Sequence, residues 1–108
     1  MREKNGVLCR GTTPTHSFTL PYELKDVEVS ALYITYRQGG RTVLEKTLSE
    51  ASVQDGVITT DLNQKDTLAF QDAGTVQIQI RLRTAAGDAL ASDIISVDVG
   101  RVLKDGVI

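Results

Sequence analysis

The stretch that decides the fold is GTVQIQIRLRTAAGDALASDIISVDVG, residues 74–100. Apolar and polar residues alternate strictly over 76–82 and again over 95–99. A period of two sends successive side chains to opposite faces of a strand, so both segments are predicted to be half-buried β-strands. The turn-forming residues 86–88 lie between them and predict a β-hairpin. We expect this hairpin to be the centre of the fold.

The register of the hairpin depends on the length of its loop. A two-residue loop at Gly87-Asp88 gives the facing pairs Ile80–Ile95, Ile78–Val97 and Val76–Val99. A four-residue loop, from Gly87 to Leu90, shifts the pairs but keeps them on one face, because an even shift preserves the pleat. Those six side chains are therefore predicted to be mostly buried, together with three others: Leu32, Ile34 and Phe70.

Length and composition predict one domain spanning 1–108, since a chain of this size buries roughly two thirds of its unfolded surface. A net charge of −2 gives no long-range attraction to nucleic acid or anionic lipid. No apolar run approaches the ~20 residues that span a bilayer. The charged segment Met1 to Cys9 does not resemble a signal peptide, which leads us to expect synthesis in a reducing cytosol.

Short strands and turns are predicted along the rest of the chain. The expected strands are Gly6–Arg10 (an edge strand or a strap), Thr15–Leu20, Val29–Arg37, Thr42–Leu48 and Val57–Leu62. The strand over 29–37 is apolar on both faces, which is typical of a central strand. Gly39-Gly40 and Asp55-Gly56 predict primed hairpin turns, because glycine tolerates positive φ. The segment 63–70, with Asn63 as N-cap, is predicted to be a short helix crossing between two sheets.

About seven short strands, with turns roughly every 8 to 12 residues, predict an all-β fold. The expected architecture is an antiparallel immunoglobulin-like β-sandwich with one short crossing helix, and a small closed barrel is the alternative. Residues 1–5 and 104–108 are expected to be flexible or interface tails.

Side chains able to carry chemistry are few. Cys9 and His16 are the single cysteine and the single histidine, and a Cys–His pair needs a third group to orient the base. A zinc site needs three or four ligands. Asp61-x-Asn63 lacks the later glycine and glutamate of a calcium loop. The sequence therefore assigns no catalytic, metal or cofactor-binding residue, and we expect no enzyme activity, cofactor or small-molecule substrate.

A polar stripe on the outer face of the hairpin is a candidate partner face. Its members are Gln77, Gln79, Arg81 and Arg83. The same pattern is typical of the solvated face of a sandwich sheet, with the arginine stems shielding apolar neighbours.

The C-terminus is the second candidate surface. Asp-Gly-Val-Ile occurs at 55–58 and again at 105–108, and only the first copy is followed by a strand. A two-residue arm pairs poorly with its own sheet, because ordering costs about 1–2 kcal/mol per residue. Either the tail frays or it docks on a neighbouring subunit at an open sheet edge. The candidate interface residues are Arg101, Val102, Leu103, Val107 and Ile108.

Two resemblances carry the functional expectation. Asp72-Ala73-Gly74-Thr75-Val76 resembles the corner before the penultimate strand of immunoglobulin-like domains, with Val76 in place of the tyrosine and Ile78 in place of the cysteine. The order of strands, glycine turns and crossing helix from Ala31 to Leu103 is similar to the N-terminal sandwich of phage baseplate upper proteins. It is also similar to small prophage tail proteins that end in Arg-Val-Leu-Lys-Asp-Gly. Baseplate upper proteins continue into long C-terminal regions, whereas this sequence stops at Ile108, so a stand-alone subunit is expected.

The resemblance implies a non-enzymatic virion structural component of the tail or baseplate. Its partners would be other virion subunits or further copies of itself, without nucleic acid or membrane insertion. It would be made in the bacterial cytoplasm and then enter the virion. Two alternatives stay open: a stand-alone immunoglobulin-like module that binds a host-surface protein or glycan, and a small enzyme inhibitor or host-takeover factor acting through an exposed loop.

Overall fold

The computed structural model describes residues 7–71 and 74–108. In these ranges the chain forms β1 (Val7–Cys9), β2 (Thr15–Thr19), β3 (Val29–Gln38), β4 (Arg41–Thr47), β5 (Ala51–Gln54), β6 (Val57–Asp61), α1 (Gln64–Leu68), β7 (Thr75–Thr84), β8 (Ala89–Ala91) and β9 (Ile95–Gly100). Two 3-10 turns lie at Tyr22–Leu24 and Leu48–Glu50. The expectations for residues 1–5, for Gly6 as the start of a strand, and for Asp72-Ala73 in the corner lie outside the described residues.

The strands form two sheets that pack on a shared core. The larger sheet has the order β1-β9-β7-β3-β4, with β8 also paired to β7, and the smaller sheet has the order β2-β6-β5. The prediction of a β-rich fold with one short helix is confirmed. The prediction of a fully antiparallel fold is wrong, because β1 pairs in parallel with β9. A long connection that leaves the sheet and returns permits such parallel pairing. The described residues hold nine strands rather than about seven.

Strand β3 lies between β7 and β4, as predicted, but for a different reason. Its inward residues Leu32, Ile34 and Tyr36 are buried, whereas Tyr33 on the outer face is 48% exposed. Strand β3 is therefore central because it pairs with a strand on each side, and its outer face is not buried. Beyond it, Gly39-Gly40 forms the predicted two-residue turn, with φ of 61° and 78°.

Helix α1 carries the chain from the smaller sheet to the larger one, as the sequence predicted. Asn63 is its N-cap: its side chain accepts from the Asp66 backbone N–H at 2.8 Å, and Asp66 Oδ2 accepts from the Asn63 N–H at 2.9 Å. This reciprocal capping box satisfies two donors that a helix start leaves free. At the other end, the Arg10 side chain donates to the carbonyls of Leu68 and Phe70.

The core confirms most of the predicted residues and corrects one. The buried apolar side chains are Leu8, Leu32, Ile34, Tyr36, Ile58, Leu62, Phe70, Val76, Ile78, Ile80, Leu82 and Val99. Val97 is half-buried and packs against this cluster. The prediction for Ile95 is wrong, since its side chain is 40% exposed.

The predicted pairing of the central hairpin is also wrong. Strand β7 pairs with β9 so that Ile78 faces Ile95 and Val76 faces Val97. The loop from β7 to β8 is closed by hydrogen bonds between Thr84 and Asp88. Between β8 and β9 the register moves by one residue, because Leu82 faces Leu90 while Ile78 faces Ile95. The break between β8 and β9 therefore acts like a β-bulge, which sequence alternation does not reveal.

Candidate functional site: an inter-sheet cleft and a C-terminal knob

Ser92 causes the break between β8 and β9. Its backbone N–H donates to the Ile80 carbonyl at 2.8 Å, and its Oγ accepts from the Ile80 N–H at 3.0 Å. A side-chain oxygen thus occupies the place of a ladder carbonyl. The Gln79 side chain donates to the Ser92 carbonyl at 2.9 Å and fixes the segment further. The strand resumes at Ile95 with its inward face retained.

The two sheets differ in width, and this leaves part of the inner face uncovered. In the described part of the chain the smaller sheet stops at β2, while the larger sheet continues through β7 to β8 and β9. Residues paired across antiparallel strands share a face, so Ile95 points inward like its partner Ile78. Along β9 the exposure falls from 40% at Ile95 to 9% at Val99. Coverage by the opposite sheet is therefore lost toward β8.

The uncovered region is a cleft of about 610 Å³ between β2 and the β8–β9 segment. We call it the inter-sheet cleft. Its apolar lining comes from both sheets and from the turn after β2: Phe18, Leu20, Leu24, Ile80, Leu82, Leu90 and Ile95. Leu90 and Ile95 are 36% and 40% exposed there, whereas Ile80 and Leu82 are buried. The cleft is an open, largely apolar groove at the edge of the core.

The candidate interface at the C-terminus folds back onto the helix end of the same molecule. Gln64 holds Ile108 with two hydrogen bonds, donating to the backbone carbonyl at 3.1 Å and accepting from the N–H at 2.7 Å. Arg10 lies 3.4 Å from the Asp105 carboxylate. Val102 is half-buried and faces Gly11. These contacts hold the tail against its own molecule, and the sequence alone does not predict them.

The tail presents its other apolar side chains to solvent. Leu103 is 98% exposed, Val107 is 61% exposed and Ile108 is 87% exposed. We call these three residues the C-terminal knob. Arg101 is also exposed, at the base of the tail. Four of the five candidate interface residues therefore lie on the surface, and Val102 anchors them.

The knob and the cleft lie at different positions along β7. The tail leaves β9 after Gly100, next to the Gly74 end of β7, where the Val99 N–H donates to the Gly74 carbonyl. The cleft lies further along β7, toward Leu82. Leu82 is seven positions from Thr75 along β7, and Ile78, which pairs with the cleft residue Ile95, is three positions away. At about 3.4 Å per residue these are roughly 24 Å and roughly 10 Å of strand. The long axis of the molecule, 46 Å, accommodates this separation.

The polar stripe on β7 lies on the outer face of the larger sheet, as predicted. Gln77, Arg81 and Arg83 are exposed, whereas Gln79 is half-buried and is used to hold Ser92. Tyr33 pairs with Arg81 across the strands and adds an aromatic side chain to the stripe. Three of the four candidate residues are thus available on the surface, and the fourth has a structural role.

A polar cluster inside the core was not predicted. Tyr36 is fully buried, its hydroxyl hydrogen-bonds His16 Nδ1 at 2.7 Å, and the two rings stack at 5.7 Å. Lys46 donates to Asp66 Oδ2 at 3.0 Å, and these side chains are only 10% and 17% exposed. Burial, and secondarily the charge of Asp66, raises the pKa of Tyr36 above its ordinary value. Lys46 pairs with the buried Ile34 and so takes an inward position on β4. The sequence of β4 does not show apolar alternation, so it gave no signal of this position.

The two reactive side chains named from the sequence lie on different sheets, Cys9 on β1 and His16 on β2. Cys9 is exposed, whereas His16 is half-buried in the cluster around Tyr36. Within 7–71 and 74–108, no group of three or more His, Cys, Asp or Glu side chains is placed to hold a metal ion. In the same ranges no helix has the length and apolar character needed to cross a membrane.

The chain was compared with protein-family models, curated proteins and solved structures. No family model matches the chain, and no curated protein matches it. Among solved structures, the chain is similar to extracellular domains 3–5 of Drosophila OTK, with 17% sequence identity and a TM-score of 0.36. That similarity covers 91% of this chain and 32% of the other, so the chain spans about a third of the length of that structure.

Proposed function

We propose that the protein is a non-enzymatic structural subunit that works by assembling with other subunits, in the tail or baseplate of a phage virion. The observation that carries the assembly role is the pairing of an unfilled apolar cleft with an exposed apolar knob. Leu103, Val107 and Ile108 are large apolar side chains exposed within six consecutive residues, and exposed apolar surface that forms a patch marks interaction sites. The phage setting is supported by the sequence resemblance to baseplate upper proteins and prophage tail proteins.

The fold we propose is a divergent immunoglobulin-like sandwich. Supporting features are the two facing sheets and the helix crossing from β6 to β7. The parallel β1–β9 pair and the short β8 are departures from a plain antiparallel sandwich. In this proposal the smaller sheet ends at β2, and the inter-sheet cleft lies where a further strand next to β2 would cover the larger sheet.

Synthesis in the bacterial cytoplasm followed by incorporation into the virion is part of the proposal. The test is immunogold labelling of particles induced from the producing strain, with an antibody against the purified protein. Gold at a fixed position on the tail supports the proposal. Particles that stay unlabelled, while the protein remains in the cell lysate, refute it.

A stand-alone module that binds a host-surface protein or glycan is the second candidate. The observation that favours it is the exposed outer face of β7 and β3, where Tyr33 lies opposite Arg81. Tyrosine and arginine are enriched in binding hot spots. Binding of the purified protein to intact host cells, lost in Arg81→Ala but kept in Leu103→Asp, would favour this candidate over assembly.

A further inference from the structure

We propose that copies of the protein associate head to tail, with the C-terminal knob of one copy docked in the inter-sheet cleft of the next. The inference rests on the proposed assembly role, but it does not depend on the particle in which assembly takes place. It assigns the occupant of the cleft: the tail of a second copy.

The knob is suited to docking because its backbone is already held. The two hydrogen bonds between Gln64 and Ile108 fix the last residue, and Val102 packs next to Gly11. Leu103, at 98% exposure, gains nothing from its own molecule. A pre-ordered apolar group loses less conformational entropy on binding than a free tail does.

The cleft is suited to receive aliphatic side chains. Its volume of about 610 Å³ lies within the range of roughly 300–1,000 Å³ typical of concave binding sites. Phe18 lines it from the smaller sheet and Leu20 from the segment after β2, while Ile80 and Ile95 line it from the larger sheet. Apolar side chains inserted between the sheets would cover the inner face that β2 leaves open.

Charge favours the tail of this chain as the occupant. Asp93 lines the cleft, and Glu28 and Asp88 line a neighbouring groove that shares Leu24 and Leu90 with it. Among the described residues, no lysine or arginine lines either one. The tail, residues 101–108, carries Arg101, Lys104 and Asp105, and therefore a net side-chain charge of +1 (two basic residues and one acid). A tail of net positive charge is electrostatically complementary to a cleft with acids in it and beside it.

Geometry makes the contact intermolecular and heterologous. The tail is fixed at the helix end of the molecule, and the cleft lies toward the β8 end. Each copy therefore offers one free knob and one free cleft. Such contacts build a ring where the rotation closes and an open filament where it does not.

The test uses two variants of the full chain, each defective in one half of the contact. Leu103→Asp disables the knob, and Ile95→Asp disables the cleft. The control is Ile94→Asp, at a neighbouring side chain that is 57% exposed and does not line the cleft. Circular dichroism and urea midpoints establish that each variant folds, and Leu90→Asp replaces the cleft variant if Ile95→Asp does not. Sedimentation velocity over a concentration series then gives the oligomer distribution.

We expect the wild type and Ile94→Asp to form dimers and larger species as concentration rises, and each defective variant to stay monomeric. A 1:1 mixture of the two defective variants should form a species of twice the monomer mass and nothing larger. The intact knob of Ile95→Asp docks in the intact cleft of Leu103→Asp, and the two remaining halves of the contact are both defective.

Three results would overturn the inference. They are a wild type that is monomeric at high micromolar concentration, a wild type that stops at a symmetric dimer, and a mixture that stays monomeric. The first leaves the cleft to a different virion protein. None of these bears on whether the protein labels phage tails, so failure here is distinct from failure of the proposed function.

Discussion

The buried ion pair between Lys46 and Asp66 gives the sharpest prediction about stability. Asp66 closes the cap of α1 through Asn63 and neutralises an ammonium group whose side chain is 10% exposed. Asp66→Asn keeps the shape and one acceptor oxygen but removes the charge. Breaking a buried pair from one side costs about 3–5 kcal/mol, because the remaining charge stays buried. We expect about 3 kcal/mol, since the asparagine oxygen can still accept from Lys46 Nζ.

A double-mutant cycle separates the pair from the cap. Lys46→Met removes the cation and is expected to cost about 1 kcal/mol, since Asp66 retains the Asn63 N–H. The double variant should be more stable than Asp66→Asn alone, with a coupling energy of roughly 2 kcal/mol. The same Asp→Asn change at the exposed Asp61 is the matched control, since an asparagine oxygen can still accept the hydrogen bond from Thr15. It should stay within about 0.5 kcal/mol of wild type.

Equilibrium unfolding in urea, at low and at high salt, measures these free energies without adding a charged denaturant. The coupling should persist in high salt, because buried pairs are weakly screened. Additive effects in the cycle, or an Asp66→Asn variant as stable as Asp61→Asn, would refute the reasoning.

Three further predictions concern the core and its turns. Ile78→Ala should lower the free energy of unfolding by about 2–5 kcal/mol, through lost burial and a cavity, as measured by urea unfolding. The raised pKa of Tyr36 lets the folded state keep a proton that the unfolded chain loses above its ordinary pKa of 10.0. Stability should therefore fall as pH rises beyond that value, by at most about 1.4 kcal/mol per pH unit, and Tyr36→Phe should flatten the slope. Gly56→Ala should lower the thermal midpoint more than Gly40→Ala. The two glycines have nearly the same φ, 77° and 78°, but a Cβ on Gly56 would lie 3.1 Å from the Lys25 backbone, whereas a Cβ on Gly40 would meet nothing within 4 Å. Equal shifts of the thermal midpoint would contradict this.

Local features of the fold were predictable from the sequence. The glycine turn at 39–40, the N-cap at Asn63 and the crossing helix each depend on a few neighbouring residues, and the structure contains all three. Alternation also located strands β3 and β7 and most of the core. These features follow from short-range backbone and burial preferences.

Pairing and coverage were not predictable, because they depend on residues far apart in the chain. The register of β9 is set by Ser92, whose side chain replaces a ladder carbonyl at Ile80. The exposure of Ile95 depends on where the opposite sheet ends, which alternation in β9 itself cannot show. The tail was identified as a surface, but its attachment to Gln64 joins positions 44 residues apart. The cleft arises from the difference in width between two sheets, and only the three-dimensional structure shows it.

The proposed function makes the protein an assembled component of a phage particle. The most direct measurement is quantitative mass spectrometry of particles purified by density gradient from the producing strain, with a high-salt wash to strip loosely bound protein. The account predicts many copies per particle, in a fixed ratio to the other tail proteins, that survive the wash. Recovery of the protein only at the top of the gradient, apart from intact tailed particles, would contradict it.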